Sequence, residues 1–143
     1  MAHAVQAQDA DGAIRAAGLR VTEPRRAVYD ALAALPHASA DEVFSRVRTT
    51  LSSTSPQAVY NVLSAFVDAG VARRIEPAGH PGLFELRVGD NHHHVVCTRC
   101  GRIDDIDCVH GAPPCMQPDD DHGYQIRSAE VTFWGVCPAC AAT

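Results

Sequence analysis

The chain has 143 residues, a formal net charge of −5 and no lysine among its twelve basic residues. This length allows one domain or two small ones. No apolar run is long enough to cross a membrane, and residues 1–11 lack the basic start and apolar core of a signal peptide, so we expect a cytoplasmic protein. Because the cytosol keeps thiols reduced, the six cysteines favour metal binding over disulfides.

The charge is distributed unevenly along the chain. Residues 1–88 contain nine arginines and nine acidic residues, whereas residues 89–143 contain three arginines and eight acidic residues. Arginine is the cation best suited to phosphate groups and guanine edges. We therefore predict two modules, a neutral arginine-bearing one and an acidic one that attracts cations, with a hinge at Gly89-Asp90.

The first module begins with three short predicted helices. Residues 9–17 form a weak amphipathic candidate. Thr22 can cap the second helix, with Pro24 in its first turn. Ser39 opens a capping box for the third helix, whose apolar period continues to Leu51.

The fourth helix has the clearest signals. Ser55 stands at its cap with a proline next to it, and Gly70 comes just past its end. A solvated face normally carries charged residues, but none occurs between residues 55 and 67, which favours a functional surface over an ordinary solvated one. The exposed face of this helix is polar and carries Gln57, Tyr60 and Asn61.

Residues 71–76 and 83–88 are predicted to form a hairpin after this helix. Helices followed by a hairpin predict a winged helix-turn-helix, in which the helix before the hairpin enters the major groove of DNA and the hairpin, or wing, follows the backbone. Amides suit adenine edges, and guanidinium groups suit phosphates or a narrow minor groove. We therefore expect an operator in double-stranded DNA as the partner, with base contacts from Gln57, Tyr60 and Asn61 and backbone contacts from Arg73 and Arg74.

The second module contains two Cys-x-x-Cys pairs. Together they can supply the four thiolates of a structural Zn²⁺ site, namely Cys97, Cys100, Cys137 and Cys140. Residues 92–97, 102–106 and 130–136 are predicted to form a small antiparallel sheet with a zinc knuckle at its end. A domain of about 55 residues is too small to depend on its core alone, so we expect both the metal and a homodimer. Unligated or disulfide-bonded cysteines are the alternative.

A run of three histidines precedes the first cysteine pair. His92 and His94 are two residues apart, so on a strand both rings leave the same face. Two imidazoles that converge in this way predict a second metal site, with nitrogen and oxygen ligands. The alternative is a solvated histidine cluster.

Four motifs, taken together, are specific. They are Arg20-Val21-Thr22-x-Pro24, Gln57-Ala58-Val59-Tyr60, Val88-Gly89-Asp90-Asn91-His92-His93-His94, and Ala129-Glu130-Val131 through Trp134-Gly135-x-Cys137-Pro138-x-Cys140. With the order of winged helix, hinge, histidine run and terminal cysteine pair, they resemble the ferric uptake regulator (Fur) family. Within that family the chain is most similar to the actinobacterial FurA/CatR branch.

The resemblance implies an α+β protein, with an N-terminal winged helix-turn-helix in residues 1–88 and a small α/β dimerisation domain with the four-cysteine zinc site in residues 89–143. It implies a metal-dependent, dimeric transcriptional repressor and not an enzyme. The family's regulatory site, for Fe²⁺ or Mn²⁺, maps onto His37, Glu85, His92, His94 and Asp105. Because the FurA/CatR branch is associated with catalase-peroxidase genes, peroxide is the expected signal and the only small-molecule substrate. Iron, zinc or nickel sensing is the alternative, since first-row affinities overlap.

Two departures from the family pattern stand out. Asn91 and Ala129 occupy positions of a further metal site found in some members, so we expect that site to be absent or altered, and His93 is left without a role. An irregular insert, residues 108–123, stands where many members have a helix. The insert contains seven side chains that could bind a metal, namely Cys108, His110, Cys115, Asp119, Asp120, Asp121 and His122. It could form another metal site, or it could be a loop in which these residues have no shared role.

Two other classes of function stay open from the residues alone. A zinc-dependent hydrolase or deaminase needs an open zinc position and a general acid or base. The deaminase signature is missing, because Val136 rather than proline precedes Cys137. A metal-storage module would not need the helices and hairpin of the first half.

Overall fold

The structure is a computed structural model that describes residues 9–86, 92–108 and 116–143. The chain divides into two compact units, residues 1–88 and 89–143. The predicted hinge at Gly89-Asp90 lies outside the described residues. Among the helices that are described, none is long and apolar enough to cross a membrane.

Four helices form most of the first unit. They are α1 (Ala10–Ala16), α2 (Glu23–Ala34), α3 (Ala40–Val47) and α4 (Pro56–Asp68). Three hydroxyl oxygens accept a backbone N–H from three residues further on, at 3.3 Å for Thr22, 3.2 Å for Ser39 and 3.1 Å for Ser55. These bonds satisfy amides that the first helical turn leaves unpaired. The predicted caps are therefore confirmed, and the third helix ends at Val47, earlier than its apolar period indicated.

The helices of the first unit share one hydrophobic core. Ile14 of α1, Leu32 of α2 and the pair Leu63 and Phe66 of α4 are fully buried, with Val43 contributed by α3. Apolar residues three and four positions apart lie on one face of a helix, so α4 buries this face and leaves its polar face outside. The core therefore determines which side of α4 is presented to solvent.

A three-stranded antiparallel sheet, here called the wing sheet, completes the first unit. Its strands are β1 (Ala38–Ser39), β2 (Arg73–Ile75) and β3 (Leu83–Glu85), in the order β1-β3-β2. The hairpin of β2 and β3 was predicted, although both strands are shorter than expected and residues 87–88 lie outside the described part. Strand β1 was not predicted, because two residues are too few to show an alternating pattern.

The second unit contains a sheet of three strands and a short helix. They are β4 (His92–Cys97), β5 (Ile103–Asp107), β6 (Thr132–Gly135) and α5 (Pro138–Ala141). Strand β4 is central and pairs antiparallel with β5 but parallel with β6, so the prediction of an antiparallel sheet was wrong for β6. The direction of β6 depends on the path of residues 108–131, which carry no periodic signal. The four-residue α5 was also missed.

Candidate metal centres and DNA-binding surface

The two cysteine pairs come together in the second unit. Their four sulfur atoms all lie within 4.8 Å of one another, and the sulfurs of Cys100 and Cys137 are 3.8 Å apart. A tetrahedral ion with Zn–S bonds of about 2.3 Å has its sulfurs about 3.8 Å apart. None of the described cysteines is in a disulfide. The donor set and its spacing therefore fit a structural zinc ion.

Backbone amides stabilise one of these sulfurs as a thiolate. The sulfur of Cys97 accepts N–H bonds from Arg99 at 3.4 Å, from Cys100 at 3.5 Å and from Cys137 at 3.3 Å. The amides of Cys100 and then Cys137 are the main reasons why the pKa of Cys97 falls from 9.0 to about 6. The chain turns back towards β5 at Gly101, whose φ of 77° is strained for other residues.

The same cluster cannot hold four thiolates without a cation. The Cys140 thiol donates to the sulfurs of Cys137 and Cys100, which raises the pKa of Cys140 to about 12. Neighbouring sulfurs thus share protons, because like charges this close repel one another. A divalent ion offsets that repulsion and releases the remaining protons.

Two further contacts join the cysteine pairs, and sequence reasoning missed both. The guanidinium of Arg99 donates to the carbonyl oxygen of Cys140 at 3.1 Å. The backbone N–H and the hydroxyl of Thr98 both donate to the carbonyl of Gly135, at 2.8 Å and 3.2 Å. The spacing of the cysteines gives no sign of these bonds, since they depend on how the two turns meet.

The histidine run supplies a second group of ligands in the same unit. The rings of His92 and His94 meet edge to face, with centroids 4.8 Å apart, and both residues are buried. Their Nε2 atoms approach one carboxylate oxygen of Asp105, at 3.7 Å and 3.4 Å respectively. Asp105 is directly opposite His94 in the β4–β5 register. Two imidazoles and a carboxylate therefore share one face of the sheet.

His93 leaves the opposite face and has a structural contact of its own. Its Nδ1 accepts the backbone N–H of Val131 at 3.3 Å, and its side chain is buried. This bond holds the chain just before β6 against β4. The alternation of side chains along a strand would have separated His93 from its two neighbours, but its partner at Val131 could not have been predicted.

The first unit contains a second histidine–carboxylate pair. His37, just before β1, places its Nε2 3.3 Å from Oε2 of Glu85, at the end of β3. Glu85 is only 1% exposed, and its other oxygen is 4.0 Å from the guanidinium of Arg73. A buried carboxylate is costly unless it has such partners. The pair offers one nitrogen and one oxygen ligand.

The polar face of α4 is exposed, as the sequence indicates. Gln57 donates its amide N–H to Oδ1 of Asn61 at 2.8 Å, one helical turn further on. Tyr60, which lies between them in the sequence, is 42% exposed. This surface combines amide donors and acceptors with an aromatic ring, the groups that bind base edges. In the wing, Arg74 lies on the exposed side of β2.

The described part of the insert forms a local turn. The backbone N–H groups of His122 and Gly123 donate to the carboxylates of Asp120 and Asp121, each at 2.8 Å. His122 has a φ of 51°, and its ring nitrogen is 3.4 Å from Asp120. These exposed contacts explain the turn without a metal. Cys108 is half-buried, whereas His110 and Cys115 lie outside the described residues.

A winged helix followed in one chain by a cysteine-rich, metal-binding sheet defines a metal-responsive transcriptional regulator. The Ferric uptake regulator family matches residues 16–134, and the chain belongs to that family. It is 49% identical over 128 residues to the transcriptional regulator FurA of Mycobacterium tuberculosis (strain H37Rv), covering 90% of this chain and 87% of that one. Members of the family are homodimeric, DNA-binding regulators, so the hydrolase alternative is excluded.

Two solved structures show the same fold. The ferric uptake regulator of Vibrio cholerae superimposes with a TM-score of 0.66 at 26% identity, over 89% of this chain and 98% of that one. PerR from Streptococcus pyogenes was solved as the structural basis for peroxide sensing and gene regulation. It superimposes with a TM-score of 0.50 at 26% identity, over 94% of this chain and 95% of that one. The α+β fold predicted from the sequence is therefore confirmed.

Proposed function

We propose that the protein is a peroxide-responsive repressor that acts in the cytoplasm on catalase and other oxidative-stress genes. The observation that carries this proposal is the chemistry of the two histidine–carboxylate groups, which offer nitrogen and oxygen ligands and no sulfur. Such ligands suit Fe²⁺ or Mn²⁺ better than a soft ion. The FurA relative and the PerR structure, the latter described as a peroxide sensor, support the same assignment.

We propose that one regulatory ion takes ligands from both units, which are His37, Glu85, His92, His94 and Asp105. An ion bound in this way is more stable when both units supply their ligands. If the bound ion favours the arrangement of the two units that binds DNA best, then binding of the metal raises the affinity for DNA. Zn²⁺ at the four cysteines keeps the second unit folded and does not take part in sensing.

Bound Fe²⁺ supplies the reducing power that activates peroxide. The expected product is a histidine in which one oxygen atom of the peroxide has been inserted into an imidazole C–H bond, with water as the second product. His37 and His92 each hold a ring nitrogen close to a carboxylate of the proposed site, so an ion held by those carboxylates would have either ring beside it. An oxidised ring is a poorer ligand, so the ion and then the DNA are released.

The proposed operator is a near-palindromic, A·T-rich duplex that the homodimer binds. Gln57, Tyr60 and Asn61 would contact base edges, and Arg74 of the wing would contact the backbone. Arg73, for which the sequence predicted the same role, is paired with Glu85 across the sheet. The dimer is supported by β6, which within the described residues has only β4 as a neighbouring strand and carries Phe133 and Trp134, 48% and 47% exposed. An apolar edge strand of this kind invites aggregation unless another chain covers it.

The test uses protein loaded with Fe²⁺ without oxygen and bound to a fluorescent operator. One equivalent of peroxide should release the DNA and add one oxygen to the peptide that contains His37 or His92, as measured by mass spectrometry. Protein loaded with Mn²⁺ is the control and should keep both DNA and histidines intact. Release of the DNA with every histidine unchanged and only cysteines oxidised would overturn the mechanism.

A second candidate is an iron-responsive repressor, which the likeness to the Vibrio cholerae ferric uptake regulator favours. In that case removal of Fe²⁺ by a chelator, rather than oxidation, would be the signal. The same experiment separates the two, because an iron sensor would rebind DNA when fresh Fe²⁺ follows the peroxide. An oxidised peroxide sensor would not.

A further inference from the structure

Arg74 is oriented by two neighbours in the wing, Glu76 and Phe84. Its Nη2 lies 2.6 Å from Oε1 of Glu76, and its guanidinium lies over the ring of Phe84, 5.9 Å from the ring centroid. Arg74 and Glu76 are two residues apart in an extended segment, so their side chains leave the same face. Phe84 is opposite Arg74 in the β2–β3 register. The guanidinium is therefore oriented before any ligand arrives.

Gly82 makes room for this arrangement. A Cβ atom at Gly82 would lie 2.6 Å from Nε of Arg74 and 2.8 Å from its Nη2. Contacts that close do not occur, so a side chain at this position would require the guanidinium to move from its present place. Gly82 has an ordinary φ, and its role is to allow the close approach rather than an unusual backbone.

The oriented guanidinium faces a small surface cavity between the wing and the helices. This cavity has a volume of about 170 Å³, and Arg74, Gly82 and Phe84 of the wing line it together with Tyr60 of α4. Asp41 of α3 also lines it and, like Glu76, carries negative charge. The cavity thus lies between the proposed base-reading helix and the wing.

We propose that Glu76 is an internal substitute for a DNA phosphate: it binds Arg74 in the free protein, and a backbone phosphate displaces it in the complex. The inference rests on the proposed binding of DNA by this unit. The side chains of Arg74 and Glu76 are 42% and 63% exposed, so breaking their ion pair costs little. A phosphate can accept two guanidinium N–H bonds, which makes it the stronger partner.

Glu76 therefore lowers the affinity of the wing for any DNA while it keeps Arg74 correctly oriented. Glu76→Gln removes the negative charge and retains the length of the side chain. This variant should bind both operator and random duplex more tightly, by about threefold to tenfold at low salt. Its affinity should also fall more steeply with salt, because in the wild type the displaced carboxylate of Glu76 takes up cations and so offsets part of the counterion release from the DNA.

The experiment measures fluorescence anisotropy of Mn²⁺-loaded protein with both duplexes over a salt series. Asp30→Asn is the matched control, because it removes one exposed carboxylate from the same unit without touching Arg74. Glu76→Gln is also tested with Arg74→Gln, and there its gain in affinity should disappear. Circular dichroism melting shows that each variant remains folded.

Three results would overturn the inference. One is an equal gain from Asp30→Asn, which would make the effect one of net charge alone. The second is a gain from Glu76→Gln that persists without Arg74. The third is binding by the wild type with no gain from Glu76→Gln, which refutes the role of Glu76 and leaves the proposed function standing. If the wild-type protein binds neither duplex, then the proposed function fails as well.

Discussion

Arg73 and Arg74 are consecutive residues of β2, and their side chains leave opposite faces of the wing sheet. Arg73 is paired across the sheet with Glu85, and Arg74 with Phe84. The proposed metal ligands Glu85 and His37 therefore lie at one face of this sheet, and the proposed DNA contact, Arg74, lies at the other. Two arginines that the sequence treats as equivalent are in different electrostatic environments.

The two arginines should accordingly have separable effects. Arg74→Gln should flatten the salt dependence of DNA binding by about one phosphate contact. Arg73→Gln should leave that slope nearly unchanged and alter the affinity for Mn²⁺, because it removes a cation beside the carboxylate of Glu85. Anisotropy over a salt series and calorimetric titration with Mn²⁺ measure the two effects. Identical salt slopes for both variants would contradict this division of roles.

Asn61 should determine sequence preference more than overall affinity. Asn61→Ala removes an amide that can bind an adenine edge, and we expect a loss of about 1–3 kcal/mol that is confined to one base pair of the operator. Competition with operators substituted at single positions would locate that base pair. Asp68→Asn, at the far end of α4, is the control. Equal losses on operator and random DNA would exclude Asn61 as a base contact.

Zinc at the four cysteines should be needed for the fold of the second unit. Structural zinc sites of this kind contribute on the order of 10–16 kcal/mol, which is comparable with the stability of a whole domain. Cys137→Ser should therefore lose zinc and the dimer together. Metal analysis and sedimentation measure both. Cys108→Ser should keep both, and a zinc-free Cys137→Ser dimer at normal yield would show that the site is not structural.

The ion pair between Asp11 of α1 and Arg26 of α2 should be lost at low pH, when Asp11 is protonated. Hydrogen bonds from Arg26, at 2.8 Å and 3.0 Å, are the main reason why the pKa of Asp11 is lowered from its ordinary value of 3.8. The pair therefore stabilises the folded state fully above that value and less as the pH falls through the lowered pKa. Arg26→Gln should raise the pKa of Asp11 towards 3.8, as followed by carboxyl NMR. Arg15→Gln, which removes only a weaker Coulombic contribution, should raise it less.

Features with local signals could be predicted from the sequence. The caps at Thr22, Ser39 and Ser55 depend on a side chain and an amide three residues apart, so the sequence contains the whole interaction. The four zinc ligands were predicted for a similar reason, since each Cys-x-x-Cys pair is a complete turn. The exposed polar face of α4 was predicted because its apolar residues recur every three to four positions, with polar residues on the opposite side.

Features that depend on distant parts of the chain could not be predicted in this way. The parallel pairing of β6, the bond from Arg99 to Cys140 and the bond from Val131 to His93 join residues about forty positions apart. Strand β1 exists because β3 is beside it, not because two residues favour a strand. The spacing of His92 and His94 predicted a metal site, but the full set of five regulatory ligands came from the resemblance to the Fur family. That set stays a prediction until metal binding to it is measured.

The separation of the two cysteine pairs along the chain also has a consequence for synthesis of the protein. Cys97 and Cys100 leave the ribosome well before Cys137, which is 40 residues after Cys97. At roughly 5–20 residues per second, the first pair waits about 2 to 8 s for its partners. During that interval the first unit can fold, while two thiols of the nascent chain have no complete zinc site. The thiols of the first pair are therefore open to oxidation in every new chain until the second pair has been made and zinc closes the site.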